Sequence, residues 1–159
     1  MSSDDLTRTY RSYLAAVVRF HLVAAEAGGM GPTDYQASSM LELDGPLSPG
    51  ELAEHLRLSR SATTRVIDRL VAAGIAERTV DSDDRRRGVV AHTGYVPEDV
   101  VRLFSAVREP IGEAIGSLSP EQREGLVKYF VSATDAYRDA LGVPGESDGT
   151  ETESHPDAR

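Results

Sequence analysis

Residues 48–70 read SPGELAEHLRLSRSATTRVIDRL, and this stretch decides the fold. Ser48, Pro49 and Glu51 predict a helix start, because Ser is a preferred N-cap, Pro fits the first helical position and Glu completes a capping box. Ser59 then caps a second helix after a tight turn. The spacing therefore predicts two short helices that are joined by about three residues.

The second of these helices, about 59–73, is amphipathic. Its apolar face carries Thr63, Val66, Ile67 and Leu70. Its polar face carries Ser61, Thr64, Arg65 and Asp68, flanked by Arg60 and Arg69. Because one helix presents both faces, we expect the apolar one to pack on a core and the polar one to stay available.

The segment that follows predicts a hairpin. Residues 75–80 and 88–93 are rich in β-forming side chains, and they flank the highly charged segment DSDDRRR at 81–87. Two short helices followed by a hairpin with an Arg-rich tip have the spacing of a winged helix-turn-helix.

Charge is distributed unevenly along the chain. The formal net charge is −9, which taken alone argues against nucleic acid as a partner. Residues 57–87, however, contain eight Arg against five acidic residues, a net +3, so the rest of the chain carries −12. The clustering predicts a local basic surface on an acidic protein.

Helical periodicity also runs through the flanking segments. It predicts helices at about 6–27, at 34–43 with Thr33 or Asp34 as cap, at 96–118, and at 120–141. Pro110 is expected to kink or split the third of these near Arg108. Residues 6–25 and 119–141 carry more apolar surface than one short chain can cover, which predicts a dimer interface.

The predicted fold class is thus mainly α with a small β-wing. Residues 33–94 form the winged helix-turn-helix lobe, 1–32 and 95–142 form a helical dimerisation region, and the acidic segment 143–159 is a disordered tail.

Several function classes find no support in the sequence. There is no Cys, and His21, His55, His92 and His155 do not have metal-ligand spacing, so no metal or cofactor is expected. No phosphate-binding loop, nucleophile elbow or zinc-protease motif is present, which argues against an enzyme. The acidic start and the short apolar run 14–18 favour a cytoplasmic protein without a membrane span.

The central region resembles the multiple antibiotic resistance regulator (MarR) family of bacterial transcription factors. The resemblance is carried by LAEHLRLSRS at 52–61, TRVIDRL at 64–70, GIAER at 74–78 and the wing DSDDRRRGVVAHT at 81–93. Two positions depart from the family pattern: Ser82 stands where Pro is usual, and His92 where Leu is usual. The resemblance implies a homodimeric regulator, commonly a repressor, on a pseudo-palindromic site in double-stranded DNA.

The helix-turn-helix and the wing have different predicted roles at DNA. Arg60, Ser61, Thr64 and Arg65 lie at the start of the second helix, the part that reaches base edges in the major groove, with Arg69 beside them. Asp68 is expected to orient Arg65 or Arg69. In the wing, Arg86 is predicted to enter the minor groove with its guanidinium held by Asp84, while Arg85 and Arg87 contact phosphates.

Two further expectations concern other partners. The family resemblance implies a small aromatic or lipophilic acid as effector, for which Tyr13, Val17, His21, Tyr35 and Met40 are candidates; at helical spacing the same residues also read as core. The alternative function is a winged helix that binds protein rather than DNA, against which the retained Arg60, Arg65 and Arg86 argue.

Overall fold

A computed structural model describes residues 2–142, which form six helices and a two-stranded sheet. In chain order the elements are α1 (Ser3–Ala27), α2 (Pro32–Leu43), α3 (Pro49–Leu56), α4 (Arg60–Ala72), β1 (Ala76–Val80), β2 (Gly88–His92), α5 (Glu98–Gly116) and α6 (Pro120–Leu141). Contacts divide the chain into two compact units, one through Gly116 and one from Ser117 onward. The mainly helical class with a small β-wing is confirmed, and the predicted tail at 143–159 lies outside the described residues.

The helix-turn-helix begins and ends as its sequence predicts. Ser48 and Glu51 form the capping box: the Ser48 N–H donates to Glu51 Oε2 at 2.8 Å, and the Glu51 N–H donates to Ser48 Oγ at 3.3 Å. Arg57 is the C-cap of α3 in a left-handed conformation, with φ 53° and ψ 42°. Ser59 then caps α4, accepting the Ala62 N–H at 3.3 Å. Local hydrogen bonds therefore define where the two helices begin and end.

The core of the first unit lies beneath α4. The buried face of α4 packs with α2, α3 and the base of the hairpin. Leu52 of α3 and Ile67 of α4 are among the fully buried side chains of this core. The core cluster comprises Ala37, Leu41, Leu52, Val66, Ile67, Leu70, Ile75, Ala76 and Val90. Truncating one of the large side chains in such a cluster costs roughly 2–5 kcal/mol. Burial of one face of α4 thus fixes which face is left for a partner.

The wing is an antiparallel pair whose register runs from Ala76 opposite His92 to Val80 opposite Gly88. Leu47, just before α3, adds a bridge to this pair, exchanging two backbone hydrogen bonds with Val90 at 3.0 and 2.8 Å. The hairpin is therefore joined to the loop that leads into α3 as well as to the end of α4.

One prediction about the flanking helices is wrong, and another is wrong in part. The cap of α2 is Gly31 with Pro32 at the first helical position, not Thr33 or Asp34, because Pro can start the helix two residues earlier. The sequence predicts a kink or a split near Arg108; the split does not occur, since α5 is one helix through Gly116, and the kink stays a prediction. Ala106 and Pro110 are both exposed, so water can bond to the carbonyl that Pro leaves without a donor.

Across residues 2–142, no helix combines the length and the apolar character that a membrane span requires. The predicted division into a lobe at 33–94 and flanking dimerisation helices stays a prediction.

The strained conformation of Arg57 leads to a stability prediction. Within residues 2–142, Arg57 has the only positive φ outside Gly, and a Cβ in this region costs roughly 1–2 kcal/mol. Gly also gives the unfolded chain more conformational entropy, which offsets part of the stability gained by removing the Cβ. We expect Arg57→Gly to raise the free energy of unfolding in urea by about 0.5–1 kcal/mol.

Arg57→Ala is the matched control, because it removes the side chain but keeps the Cβ. It should not share the gain in stability. A Gly variant that is less stable than the Ala variant would contradict the argument.

Candidate nucleic-acid interface

The exposed face of α4 presents the residues predicted to read bases. Arg60, Ser61, Thr64 and Arg65 are all exposed, while Thr63 and the apolar side chains of α4 are buried on the other side. The Thr64 hydroxyl donates to the Arg60 carbonyl at 2.9 Å, which leaves its oxygen able to accept. Within residues 2–142, neither Arg60 nor Arg65 forms an ion pair, so both guanidinium groups are available.

The third predicted arginine of α4 has a partner on another helix. Arg69 donates from Nε to Asp34 Oδ2 and from Nη2 to Asp34 Oδ1, both at 2.7 Å. Asp68 does not orient Arg65 or Arg69, as the sequence had suggested; it accepts from Arg78 at 2.6 Å. That expectation is wrong because Asp34, 35 residues earlier in the chain, already holds Arg69. The DNA contact of Arg69 stays a prediction.

Carboxylates shape the tip of the wing. Asp81 Oδ1 accepts the backbone N–H groups of Asp83 and Asp84 at 2.8 and 3.2 Å, and these bonds, with Arg87 beside them, lower the pKa of Asp81. Asp84 Oδ1 accepts the backbone N–H of Arg86 at 3.0 Å. Asp84 therefore holds the backbone of Arg86 and not its guanidinium, since an Asp side chain readily reaches the N–H two residues ahead.

The three arginines of the tip differ in their surroundings. Arg85 and Arg86 are exposed and form no ion pair within the described part of the chain. Arg87 lies between two carboxylates, pairing with Glu51 at the start of α3 and with Asp81 at 3.2 Å. Its predicted phosphate contact stays a prediction, and the ion pairs give it a second role: they connect the wing to α3.

Sequence reasoning does not find two of these partners, Asp34 and Glu51. The sequence marks Glu51 only as the end of a capping box and Asp34 only as a possible cap. Both pair with arginines that are distant along the chain, and such pairs leave no periodic pattern in a sequence.

A cavity of about 250 Å³ lies beside the wing within the first unit. Of the five predicted effector residues, only Tyr35 lines it. His21 Nδ1 and the Tyr35 hydroxyl form a hydrogen bond at 2.9 Å, and Met40 packs against the core. Tyr13 and Val17 do not line the cavity; both lie on α1, and Tyr13 is half-exposed.

The remaining walls of the cavity include side chains that were not singled out as effector residues. His92, Tyr95, Phe104 and Arg108 line it together with Tyr35. Burial raises the pKa of Tyr35, so its hydroxyl group stays neutral in the cavity wall at ordinary pH. No group of three His, Asp or Glu side chains within residues 2–142 could hold a metal ion.

The exposed face of α4, with Arg60 and Arg65, beside an Arg-tipped hairpin defines a DNA-binding winged helix-turn-helix. Residues 29–87 match the family model described as "MarR family". The chain is 30% identical over 144 residues to YcgE of Bacillus subtilis (strain 168), described as an uncharacterized HTH-type transcriptional regulator, covering 88% of this chain and 94% of that one. The chain belongs to the MarR family of transcriptional regulators.

Solved structures agree with this fold. RV1404 from Mycobacterium tuberculosis is similar with a TM-score of 0.59 at 27% identity, covering 86% of this chain and 94% of that one. The transcriptional regulator Tm0710 from Thermotoga maritima has the same TM-score at 21% identity, covering 88% and 99% of the two chains.

The bridge between α3 and the wing leads to a pH prediction. Hydrogen bonds from the Ser48 backbone and side chain, followed by Arg87, lower the pKa of Glu51. Its ionised form therefore contributes stability above the unfolded-state pKa of about 4.3, and this contribution is lost as the pH falls through the folded-state value. We expect Glu51→Gln to reduce the loss of stability on acidification between about pH 5 and pH 3.

Gln can keep the capping box, so the variant chiefly removes the charge. Near neutral pH the loss should be only about 0.5 kcal/mol, because the pair is partly exposed and screened by solvent. Glu54→Gln, at an exposed position of the same helix, is the control. Identical unfolding profiles for the two variants across this pH range would contradict the role of the bridge.

Proposed function

We propose that the chain is a sequence-specific repressor that acts as a homodimer on a pseudo-palindromic operator and responds to a small effector. The observation that carries the DNA-binding part is the pair of exposed basic sites, Arg60 and Arg65 on α4 and Arg85 and Arg86 on the wing. All four guanidinium groups lack a carboxylate partner within residues 2–142, on a chain that is otherwise acidic.

Base readout is assigned to the first two turns of α4. An Arg side chain there can pair bidentately with guanine, and Ser or Thr can donate to or accept from either base. Arg60, Ser61, Thr64 and Arg65 are therefore the base-contacting set. The chain has no Asn, so we expect the major-groove contacts to favour G·C pairs and thymine methyl groups.

Arg86 of the wing is assigned to the minor groove and Arg85 to phosphate. The Arg86 backbone N–H donates to Asp84 Oδ1, which fixes the loop without occupying the guanidinium and supports an Arg that can enter a groove. Narrow minor grooves carry enhanced negative potential, so Arg86 should favour A·T-rich flanks.

Exposed apolar side chains support a homodimer. On α1, Leu6, Val18 and Leu22 are each at least half-exposed. On α6, the exposed large apolar side chains include Val127, Phe130, Val131 and Leu141. Surfaces of this kind are characteristic of interfaces. A two-fold dimer would also double the contacts of a lobe that is too small for specificity alone.

Effector binding is assigned to the cavity beside the wing. Arg108 and His92 offer donors to a carboxylate, and Phe104, Val100 and Tyr95 offer apolar surface to a ring. His92 is also the last residue of β2, so an effector would touch the wing directly. Repression is proposed because it is the commoner behaviour in the family that the chain resembles.

The two classes of arginine give a test of DNA binding. Arg85→Ala should weaken binding to all duplexes alike and lower the salt slope of log K by about 2, one phosphate contact for each protomer. Arg65→Ala should cost about 1–3 kcal/mol for each half-site and relax the base preference at one symmetric position. Fluorescence anisotropy on a promoter-derived duplex and its scrambled version, at several salt concentrations, separates the two.

Arg86→Ala completes the set and should lose most affinity where the flanking minor groove is narrow. Unchanged affinity for all three folded variants would refute DNA recognition by this lobe, and the protein-binding alternative would then stand.

The homodimer is tested on the exposed stripe of α1. We expect the double variant Val18→Glu/Leu22→Glu to run as a monomer in size-exclusion chromatography with light scattering, because two charges in each copy would have to be buried in the interface. Leu43→Glu is the control, since Leu43 is 82% exposed on α2 and lies outside the proposed interface. Wild-type dimerisation by the double variant would exclude this stripe from the interface.

A further inference from the structure

The ion pair between α2 and α4 differs from the other ion pairs of the first unit in its geometry. Asp34 lies in the first turn of α2 with its side chain 9% exposed, and both of its oxygens accept from Arg69. The Arg69 side chain is 56% exposed. One partner is therefore buried and fixed, and the other projects from α4 to the surface.

Two parallel bonds fix the plane of a guanidinium as well as its position. Arg has five N–H donors, and the pair uses one on Nε and one on Nη2. The N–H groups of Nη1 and the second one of Nη2 point away from the carboxylate that holds the first two. Arg69 thus presents an oriented set of donors from the same helix as Arg60 and Arg65.

We propose that Asp34 is a positioning residue for DNA binding, which holds Arg69 so that its outer N–H groups meet a backbone phosphate beside α4. The inference rests on the proposed function, since it needs α4 to lie against DNA. Asp34, a buried acidic residue of α2, would in this way increase the affinity for DNA although its own charge opposes DNA binding.

The Asp68–Arg78 pair provides a contrast. It consists of a single bond at 2.6 Å between two side chains that are both at least half-exposed. Such a pair does not fix the guanidinium plane. Asp68 and Asp34 carry the same charge and both pair with an Arg, so a substitution at Asp68 controls for charge alone.

The sign of the effect separates positioning from electrostatics. Replacing either Asp with Asn removes one negative charge from each chain, and charge alone would tighten binding to DNA. If Asp34 orients Arg69, Asp34→Asn must instead weaken binding, because a neutral amide cannot accept both bonds. Asp34→Asn should therefore lower the affinity for DNA. Asp68→Asn should raise the affinity or leave it unchanged.

The experiment uses the full chain and a fluorescent 30-base-pair duplex of arbitrary sequence at low salt, since phosphate contacts do not depend on sequence. We expect Asp34→Asn to bind about three- to tenfold more weakly and to lower the salt slope by about 1–2 for a dimer. Asp68→Asn should bind as the wild type does, or up to about twofold more tightly. Circular dichroism melting sets an assay temperature at which each variant is folded.

A mutant cycle with Arg69→Leu tests whether Asp34 acts through Arg69. In that background, adding Asp34→Asn should change the affinity by less than about twofold, because there is no guanidinium left to orient. Arg69→Lys keeps the charge but lacks the planar fork, and it should weaken binding nearly as much as Asp34→Asn. This variant leaves Asp34 in place, so it tests the same geometry if Asp34→Asn fails to fold.

Undiminished binding by folded Asp34→Asn, or by Arg69→Lys, would overturn the positioning role. An effect of Asp34→Asn that persists in the Arg69→Leu background would also overturn it. If the wild type itself binds no duplex, the proposed function fails together with this inference. If the wild type binds DNA and the variants bind equally well, the positioning role of Asp34 is refuted and the proposed function is not.

Discussion

Burial of one face of α4 is the constraint on which the remaining features depend. Val66, Ile67 and Leu70 are removed from water against α2, α3 and the hairpin, and this fixes the rotation of the helix about its own axis. Because a helix has 3.6 residues per turn, that rotation places Arg60 and Arg65 on the outside. The chemistry of the surface is thus determined by the packing beneath it.

Acidic side chains hold parts of the basic surface in a defined geometry. Asp34 pairs with Arg69, Glu51 pairs with Arg87, and Asp81 and Asp84 bind backbone N–H groups of the wing. Each carboxylate lowers the local positive charge, which opposes attraction to DNA. In exchange the loop and two of the arginines gain a defined geometry. Arg60, Arg65, Arg85 and Arg86 have no carboxylate partner within the described residues, so the paired and the unpaired arginines are different side chains.

Local signals in the sequence were sufficient for the elements and for their order. Ser48 and Ser59 cap the helices that the sequence predicts them to cap, because an N-cap is a contact between residues two or three apart. The hairpin also forms where β-forming residues flank the charged tip. At α2 two local signals competed, and Pro32 fixed the start of the helix ahead of the polar residues that follow it.

The site was predictable in its exposed arginines and unpredictable in their partners. Arg69 and Arg87 lie on the expected elements, but their pairing with Asp34 and Glu51 depends on how α2 and α3 pack, which no spacing along the chain encodes. The cavity beside the wing shows the same limit. Tyr35 lines it, while His92, Tyr95 and Arg108 come from segments whose sequence carries no ligand-binding motif.

The bridge between Leu47 and Val90 holds the hairpin at a fixed position relative to the start of α3. Two backbone hydrogen bonds join the wing to the entrance of α3, and the Arg87–Glu51 pair repeats the connection nearer the tip. The distance from the α4 surface to the hairpin tip is therefore set inside each lobe. In the proposed binding mode, with α4 and the hairpin tip in adjacent grooves, a duplex whose grooves are spaced differently would have to change its own twist or groove width to fit, and the stiffness of the DNA would then contribute to affinity.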